Sequence, residues 1–336
     1  MITGKTAHAS LLHSSYNDQD LAAAQERHRR ELRGYCYRML GSAFDADDAV
    51  QDSFMRACRG LERFEGRSSL RSWLYRLATS VCLDMINARE RRVLPLDYFG
   101  ARWSTGTPVD AAADGRLWIE PIPDVTVLPA AAAPSALLAE QKSIHLACIA
   151  ALQHLPARQR AVLILRDVLS WSAHEVADLL GASEIAVHSA LLRARASLDA
   201  AHSDKHLQTA PSEIDPTLVE RYMDAFTRSD VERIIALLHH DVTMSMPPYA
   251  LWLSGTHAFR NWFLGPGARC AGSKLVRVAA NGSPAFAQYR PNGASGTREA
   301  FAIHVLHAAE GRVAAVHTFV NPALFKLFGL PPTAAS

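Results

Sequence analysis

The sequence has little of what marks secreted, zinc-binding or membrane-spanning proteins. Its five cysteines are scattered, odd in number and form no C-x-x-C pair, which argues against a disulfide framework or a zinc site and suits reduced thiols. The first twenty residues lack the apolar core of a signal peptide. No uninterrupted apolar run is long enough to cross a bilayer. We therefore expect a cytoplasmic protein with no membrane contact, no bound metal and no cofactor.

Excess charge is lacking as well. The 336 residues carry a formal net charge of only +2, so any binding to nucleic acid must come from local basic patches. General disorder is excluded because 49% of the residues are hydrophobic, enough to bury a sizeable core. The length predicts two or three domains.

The hydrophobic pattern divides the chain into three domains and two linkers. Apolar residues recur every three or four positions over residues 20–95 and 139–202, which predicts two all-α domains. Residues 96–138, rich in Pro, Gly and Ala, and residues 203–213 are predicted linkers. Helical stretches followed by strand-like runs occupy residues 214–332, which predicts an α+β domain with a curved mixed sheet.

The stretch "SWSAHEVADLLGASEIAVHSALLRARASL" predicts two short helices joined by a tight turn. Ser172 and Glu175 form a capping box, Gly181 is placed to end the first helix, and Ser183 can cap the second. This pattern favours a helix-turn-helix over the alternative, an ordinary helical hairpin. Five polar residues of the second helix are left to face outward: Glu184, His188, Ser189, Arg193 and Arg195.

The stretch "RSSLRSWLYRLATSVCLDMINARERR" combines arginines and aromatics within a helical pattern. A helix that only fills a core does not need the arginines, and a tail that only coats phosphate does not need the aromatics. Arginines attract phosphate and release counterions. Aromatic side chains can receive unstacked bases. Together they favour a surface that holds single-stranded nucleic acid.

Two motif blocks carry a resemblance to a known family. The segment "DADDAVQDSFMRACRGLERFEGRSSLRSWLYRLATSVCLDMINARERR" resembles the second region of bacterial extracytoplasmic-function sigma factors. The later "LPARQRAVLILRDVLSWSAHEVADLLGAS" resembles their fourth region, which reads the minus-thirty-five promoter element. The resemblance covers roughly the first 200 residues. It implies a non-enzymatic protein that binds core RNA polymerase, recognises promoter DNA and initiates transcription.

The resemblance assigns roles to three groups of residues. Those placed where the family grips the polymerase clamp are Asp47, Asp48, Gln51, Asp52, Phe54 and Arg56. Those placed where it handles the minus-ten element are Phe64, Arg67, Ser68, Trp73, Arg76, Asn87 and Arg91. The five outward residues of the helix-turn-helix would contact the minus-thirty-five element. For the acidic group the alternative is a solvated helix face, and for Trp73 the alternative is a core position.

The sequence departs from the family pattern at three of these motif positions. Ser80 stands where an asparagine is usual, which leaves a base contact or cap there in question. Ala190 and Leu192 stand where the recognition helix usually has Arg and His. Loss of those two contacts implies weaker or altered specificity at the minus-thirty-five element.

The last domain resembles the SnoaL-like branch of the nuclear-transport-factor fold, in which helices and a strongly bent sheet form a cone. The apolar island "LWIEPIPD" in the first linker, which we expect to dock on another part of the protein, resembles a segment of sigma factors that carry such a domain. A cone of this kind usually has a pocket. Candidate lining residues are Tyr222, Met246, Trp252, Trp262, Tyr289, His304 and His317.

No Asp or Glu occurs between Val242 and Arg298, so this domain is short of catalytic acids. We expect it to be regulatory, binding either a small-molecule ligand or the chain's own helical domains. One alternative is an isomerase or cyclase fused to a DNA-binding regulator, which would rely on Asp241, His304 or His317. The other is a repressor that uses only the helix-turn-helix.

Overall fold

A computed structural model describes residues 17–88, 91–94, 117–129, 133–202, 215–249, 251–292 and 297–334. Most of the first predicted linker and all of the second lie outside the described residues. Within those residues no helix has both the length and the apolar character needed to span a membrane.

The first helical domain is a three-helix unit. Its helices are α1 (Asp18–Leu40), α2 (Ala43–Gly60) and α3 (Leu70–Asn87). A capping box at Asn17 begins α1, and Gly41, at φ 70°, ends it. The three helices bury their apolar stripes against one another. The buried Tyr35 hydroxyl hydrogen-bonds Thr79 of α3 at 2.7 Å, which ties α1 to α3.

The second helical domain contains five α-helices and a π-helical segment, Ile164–Val168. The α-helices are α4 (Pro134–Ile144), α5 (Leu146–Gln153), α6 (Ala157–Leu163), α7 (Ala173–Leu180) and α8 (Glu184–His202). The predicted capping box at Ser172 is present, and Gly181 ends α7 at φ 60°. Consequently α7 and α8 form a helix-turn-helix. The first of the five α-helices, α4, begins at Pro134, a few residues before position 139.

The described end of the first linker is packed and not extended in solvent. Trp118, Ile119 and Ile122 are fully or almost fully buried. The Glu120 amide donates to the Gly41 carbonyl at 3.0 Å, and the Tyr37 hydroxyl donates to the Glu120 carbonyl at 2.8 Å. The apolar island therefore docks on the end of α1.

The C-terminal domain places helices against one mixed sheet. Helices α9 (Pro216–Thr227) and α10 (Val231–Leu237) precede the sheet, α11 (Thr256–Leu264) follows its second strand, and α12 (Leu324–Leu327) lies near the end. The strands are β1 (Leu238–Ser245), β2 (Trp252–Ser254), β3 (Lys274–Ala280), β4 (Ser283–Pro291), β5 (Arg298–Ala309), β6 (Arg312–Phe319) and β7 (Thr333–Ala334). Their order is β2-β1-β6-β5-β4-β3, with β7 beside β5. Among the strands of the described residues, only β1 and β6 pair in parallel. The predicted α+β class is confirmed.

The two faces of this sheet pack against different parts of the protein. The inner face, including Phe286, Leu306 and Val316, packs within the cone against α9 and α11. The outer face, including Ile303 and Val305, belongs to the same apolar core as the two helical domains. The protein therefore has one core shared by all three domains and a second core inside the cone.

Candidate functional site

The face of α2 assigned to polymerase is mostly open to solvent. Asp48, Gln51, Asp52 and Arg56 are exposed. Asp47 is half-buried and pairs with Arg33 of α1, and burial raises the pKa of its carboxyl although Arg33 opposes the change. Phe54 is buried, and the Arg29 guanidinium lies 5.0 Å from its ring centroid. Phe54 thus supports this face from beneath, and the other five residues remain near its surface.

A groove beside this face was not predicted from the sequence. It runs between α1 and α2 and is lined by the arginines Arg27, Arg29, Arg30, Arg33 and Arg59. Two apolar side chains at its edge are exposed, Met55 by 42% and Val125 by 71%. The α2 surface therefore combines acidic side chains with a basic, partly apolar border.

Two aromatic rings lie at the start of the predicted minus-ten surface. Phe64 and Trp73 are stacked, with centroids 4.6 Å apart and planes at 21°. Phe64 is buried and Trp73 is half-buried. A Cβ at Gly60 would lie 3.3 Å from the Trp73 ring, so glycine leaves the space in which this ring sits. Trp73 is thus neither fully core nor free, and part of its surface is available to a partner.

The three arginines predicted to contact the minus-ten element are all exposed, and two of them also contact the second helical domain. Arg67 is exposed beside Glu65, and Arg91 is exposed and contacts His154. Ser68 is half-buried and Asn87 is exposed. Arg76, although exposed, donates to the Asp178 carbonyl of α7 at 3.1 Å. Its predicted role in binding DNA therefore competes with an interdomain contact.

Arg71 and Arg92, which belong to the same arginine-rich stretch of the sequence, have structural partners. Arg71 pairs with Glu31 at 3.0 Å and lies 5.2 Å from the centroid of the Trp171 ring. Arg92 is buried, pairs with Asp45 at 2.7 Å and donates to the Trp118 carbonyl at 2.7 Å. Both guanidiniums therefore help to hold the fold, and burial makes that of Arg92 unavailable to phosphate.

The second helix of the helix-turn-helix presents a mixed surface. Glu184, His188 and Arg193 are exposed and Ser189 is half-buried. Arg195 is exposed but makes a two-pronged ion pair with Asp167, at 2.7 and 2.9 Å. Two apolar residues of the same helix, Ile185 and Leu192, are 78% and 68% exposed, and Ile185 was not identified from the sequence. Apolar side chains on this helix could meet thymine methyl groups in the major groove.

The two helical domains are packed directly against each other. The Tyr75 ring of α3 lies 5.0 Å, centroid to centroid, from the buried Trp171 ring just before α7. The buried Arg160 of α6 donates to the Met39 carbonyl at the end of α1 and to Gln153. Arg38 of α1 pairs with Glu140 of α4. The helix assigned to the minus-ten element therefore touches the helix-turn-helix.

The tip of the β3–β4 hairpin, residues 280–283, contacts both helical domains and the linker island. Asn281 is completely buried, and its side-chain amide donates to the Tyr37 hydroxyl and to the Ile144 carbonyl, each at 2.7 Å. Its side-chain oxygen accepts from the Ile122 amide at 3.0 Å. One side chain thus bonds α1, the linker island and α4. We call this contact the Asn281 clip.

The residue after Asn281 completes the clip. The Gly282 amide donates to Asp124 Oδ1 at 2.8 Å, and burial raises the pKa of Asp124 to about 6. Gly282 adopts φ 65°, and a Cβ there would lie 2.7 Å from the Gln141 carbonyl oxygen. Only glycine permits this close approach of the hairpin to α4.

Three buried histidines lie at the same interface. The rings of His145, between α4 and α5, and His307 of β5 are 4.1 Å apart, and His317 of β6 lies 5.1 Å from His307. Burial lowers the pKa of His145 to about 4. Burial, assisted by the neighbouring histidines, lowers the pKa of His317 to about 3 and that of His307 well below its usual range. These side chains are therefore neutral at pH 7.

A cavity of about 400 Å³ occupies the interior of the cone. Four of the seven predicted lining residues border it: Tyr222, Met246, Trp262 and His304. Trp252 does not border it and is half-buried on β2. Tyr289 and His317 were wrongly placed there, because they lie on the outer face of the sheet, against Phe325 and His307 respectively.

The polar groups deep in this cavity are already satisfied. His304 Nδ1 accepts from the Thr318 hydroxyl at 2.9 Å, and its Nε2 donates to Gln288 Oε1 at 2.8 Å. Burial lowers the pKa of His304 to about 3. No Asp or Glu is among the described residues that line the cavity. Asp241 is exposed beside His240, outside it.

Comparison with known proteins matches each domain to a family. Residues 25–92 match Sigma-70 region 2, residues 145–198 match Sigma-70 region 4, and residues 219–317 match the SnoaL-like domain. The chain is 41% identical over 318 residues to the ECF RNA polymerase sigma factor SigG of Mycobacterium tuberculosis, which covers 93% of this chain and 84% of that protein. It is 28% identical over 185 residues to SigW of Bacillus subtilis, covering 54% of this chain and 88% of that protein.

A solved structure has the same three-domain fold. The crystal structure of the extracytoplasmic-function sigma factor SigJ of Mycobacterium tuberculosis superposes with a TM-score of 0.60 at 22% identity, covering 92% of this chain and all of that one. The domain order, the helix-turn-helix and the extent of the likeness to SigG agree with the predicted resemblance. The chain belongs to the family of extracytoplasmic-function RNA polymerase sigma factors and carries a C-terminal SnoaL-like domain.

Proposed function

We propose that this sigma factor directs core RNA polymerase to promoters and that its SnoaL-like domain holds the helical domains in a closed, inactive arrangement. The Asn281 clip carries this proposal, because one buried side chain bonds the first helical domain, the linker island and the second helical domain together. A contact of this kind favours the arrangement in which all three partners are adjacent.

The closed arrangement is incompatible with a two-part promoter. The minus-ten and minus-thirty-five elements are separated by about 25 base pairs, or roughly 85 Å of B-form duplex. In the structure α3 touches α7, and the Tyr75 and Trp171 rings are 5.0 Å apart. The helical domains must therefore separate before they can engage both elements, and the clip must break or move.

The exposed acidic face of α2 supports a role in binding polymerase. Replacing Asp52 with lysine is expected to weaken binding to core polymerase by about tenfold, since a reversed charge in a complementary interface costs on the order of 1.4 kcal/mol. Fluorescence anisotropy of the labelled full-length chain measures this affinity. Glu220→Lys, an equal charge change on the exposed surface of α9, is the matched control. Equal affinities for both variants would contradict the assignment.

The Phe64–Trp73 pair supports a role in holding melted DNA. Replacing Trp73 with alanine is expected to reduce promoter opening by tenfold or more, because stacking on an aromatic ring is worth about 1–3 kcal/mol per base. Permanganate reactivity of promoter thymines, with the variant bound to core polymerase, reports the opening. Trp73→Phe keeps a ring and should retain most of it. If Trp73→Ala opens the promoter as well as the native chain, the pair has only a packing role.

The cavity chemistry supports a non-catalytic C-terminal domain. Catalysis by proton transfer needs an acid or base that can exchange a proton near neutral pH. The only histidine among the described lining residues is His304, whose two ring nitrogens are both hydrogen-bonded. The cavity residues favour a binding role over the alternative of an isomerase or cyclase.

A further inference from the structure

We infer that the cone cavity is a binding site for an apolar organic anion, a hydrophobic ring system or chain that carries a carboxylate. The inference concerns a ligand of the SnoaL-like domain and does not depend on how the helical domains use DNA. It rests on the chemistry of the cavity wall.

The wall is apolar over most of its area. Aromatic and thioether side chains dominate it: Phe226, Met244, Met246, Trp262, Phe263 and Phe301. A volume of about 400 Å³ lies within the range of small-molecule sites. Binding of a hydrophobic ligand to such a wall removes apolar surface from water, which stabilises the complex by about 25 cal/mol per Å² of that surface.

The charged groups of the wall all have one sign. Arg290, which is half-buried, and Arg269, which is exposed, line the cavity, and neither forms an ion pair with a carboxylate among the described residues. The Arg290 guanidinium lies 4.2 Å from the centroid of the Phe301 ring, which holds it at the wall. Glu299 stands opposite Arg290 in the strand register, but its carboxylate accepts from Asn292.

A further polar group is free to bind a ligand. Tyr222 lines the cavity and is 1% exposed, and its hydroxyl has no hydrogen-bond partner among the described residues. A carboxylate oxygen in the cavity would accept a hydrogen bond from this hydroxyl. Two unpaired guanidiniums and one free hydroxyl donor in an apolar cavity select an anion and reject a cation.

The test compares two aromatic probes of the same size, the anion 2-naphthoate and the neutral 2-naphthamide, by titration calorimetry with the full chain. We expect 2-naphthoate to bind at least tenfold more tightly. The double variant Arg269→Gln/Arg290→Gln should remove this preference and leave 2-naphthamide binding unchanged. Arg290→Lys should retain part of it, and Arg277→Gln, an exposed change on β3 outside the cavity, should have no effect.

Fluorescence places the probe. Quenching of Trp262 by 2-naphthoate is expected in the native chain and should be lost in Trp262→Phe, while circular dichroism verifies that each variant is folded. Equal binding of the two probes, no binding of 2-naphthoate at millimolar concentration, or full 2-naphthoate affinity in the double arginine variant would overturn the inference.

Discussion

Replacing Asn281 with glycine is expected to open the closed arrangement and to raise run-off transcription at limiting core polymerase by at least tenfold. The change removes three side-chain hydrogen bonds: the Ile144 carbonyl and the Ile122 amide lose this partner, and the Tyr37 hydroxyl keeps only its bond to the Glu120 carbonyl. Such losses amount to about 2–4 kcal/mol together. Glycine is the appropriate replacement because Asn281 adopts φ 57°, which glycine accepts without strain.

Two measurements distinguish opening of the closed arrangement from a general loss of structure or activity. Small-angle scattering should show a larger radius of gyration for Asn281→Gly, and transcription from a cognate promoter should rise. Glu310→Gly is the matched control, since Glu310 occupies a left-handed position at the tip of the β5–β6 hairpin, exposed to solvent. Unchanged scattering and unchanged or reduced transcription for Asn281→Gly would refute the closed-state role of the clip.

Acidification from pH 7 to pH 5 is expected to open the native protein through the three interface histidines. The pKa values of His145, His307 and His317 are lower in the closed state than the ordinary value of about 6.5. A histidine whose pKa is lowered in the closed state favours that state when its ring is neutral. This contribution is fully present above pH 6.5 and is lost as the pH falls below that value. At pH 5 His145 and His317 each account for about 2 kcal/mol of that loss, and His307 acts in the same direction.

Two carboxyls at the interface act in the opposite direction. Burial raises the pKa of Asp124 to about 6 and also raises that of Glu120, so their contribution favours the closed state as the pH falls. The variant His145→Gln/His307→Gln leaves both carboxyls unchanged and isolates the histidine effect. Its radius of gyration should grow less on acidification than that of the native chain, or shrink. His188→Gln, an exposed change on α8, should respond as the native chain does. An identical acid response in the double variant and the native chain would show that the histidines are not responsible.

Local sequence signals predicted the helices and the residues at which they begin and end. The capping box at Ser172 and the left-handed glycine at position 181 both depend on contacts within a few residues, so their meaning is present in the sequence itself. The same is true of the family motifs, which span contiguous segments.

Long-range contacts could not be predicted in this way. The dipeptide Asn281-Gly282 is typical of any hairpin turn, but its partners Tyr37 and Ile144 are 244 and 137 residues distant in the chain. Arg71 and Arg92 show the same limit, because an arginine held by Glu31 or Asp45 has no local signature that distinguishes it from one that binds phosphate.

The placement of His317 and Tyr289 failed for a different physical reason. Strand alternation assigns a side chain to one of two faces, and it identifies the pocket side only when the other face is polar. Here the outer face is buried against the helical domains, so both faces are apolar and the alternation does not distinguish them.

The position of the clip late in the chain has a consequence for newly made protein. Both helical domains end by His202, whereas the ribosome reaches Asn281 only 79 residues later. At ordinary rates of synthesis this interval lasts about 4–16 seconds. During that time the nascent helices have no hairpin to restrain them, so each freshly translated molecule passes through a brief period in which it is free to meet polymerase before its own C-terminal domain can close it.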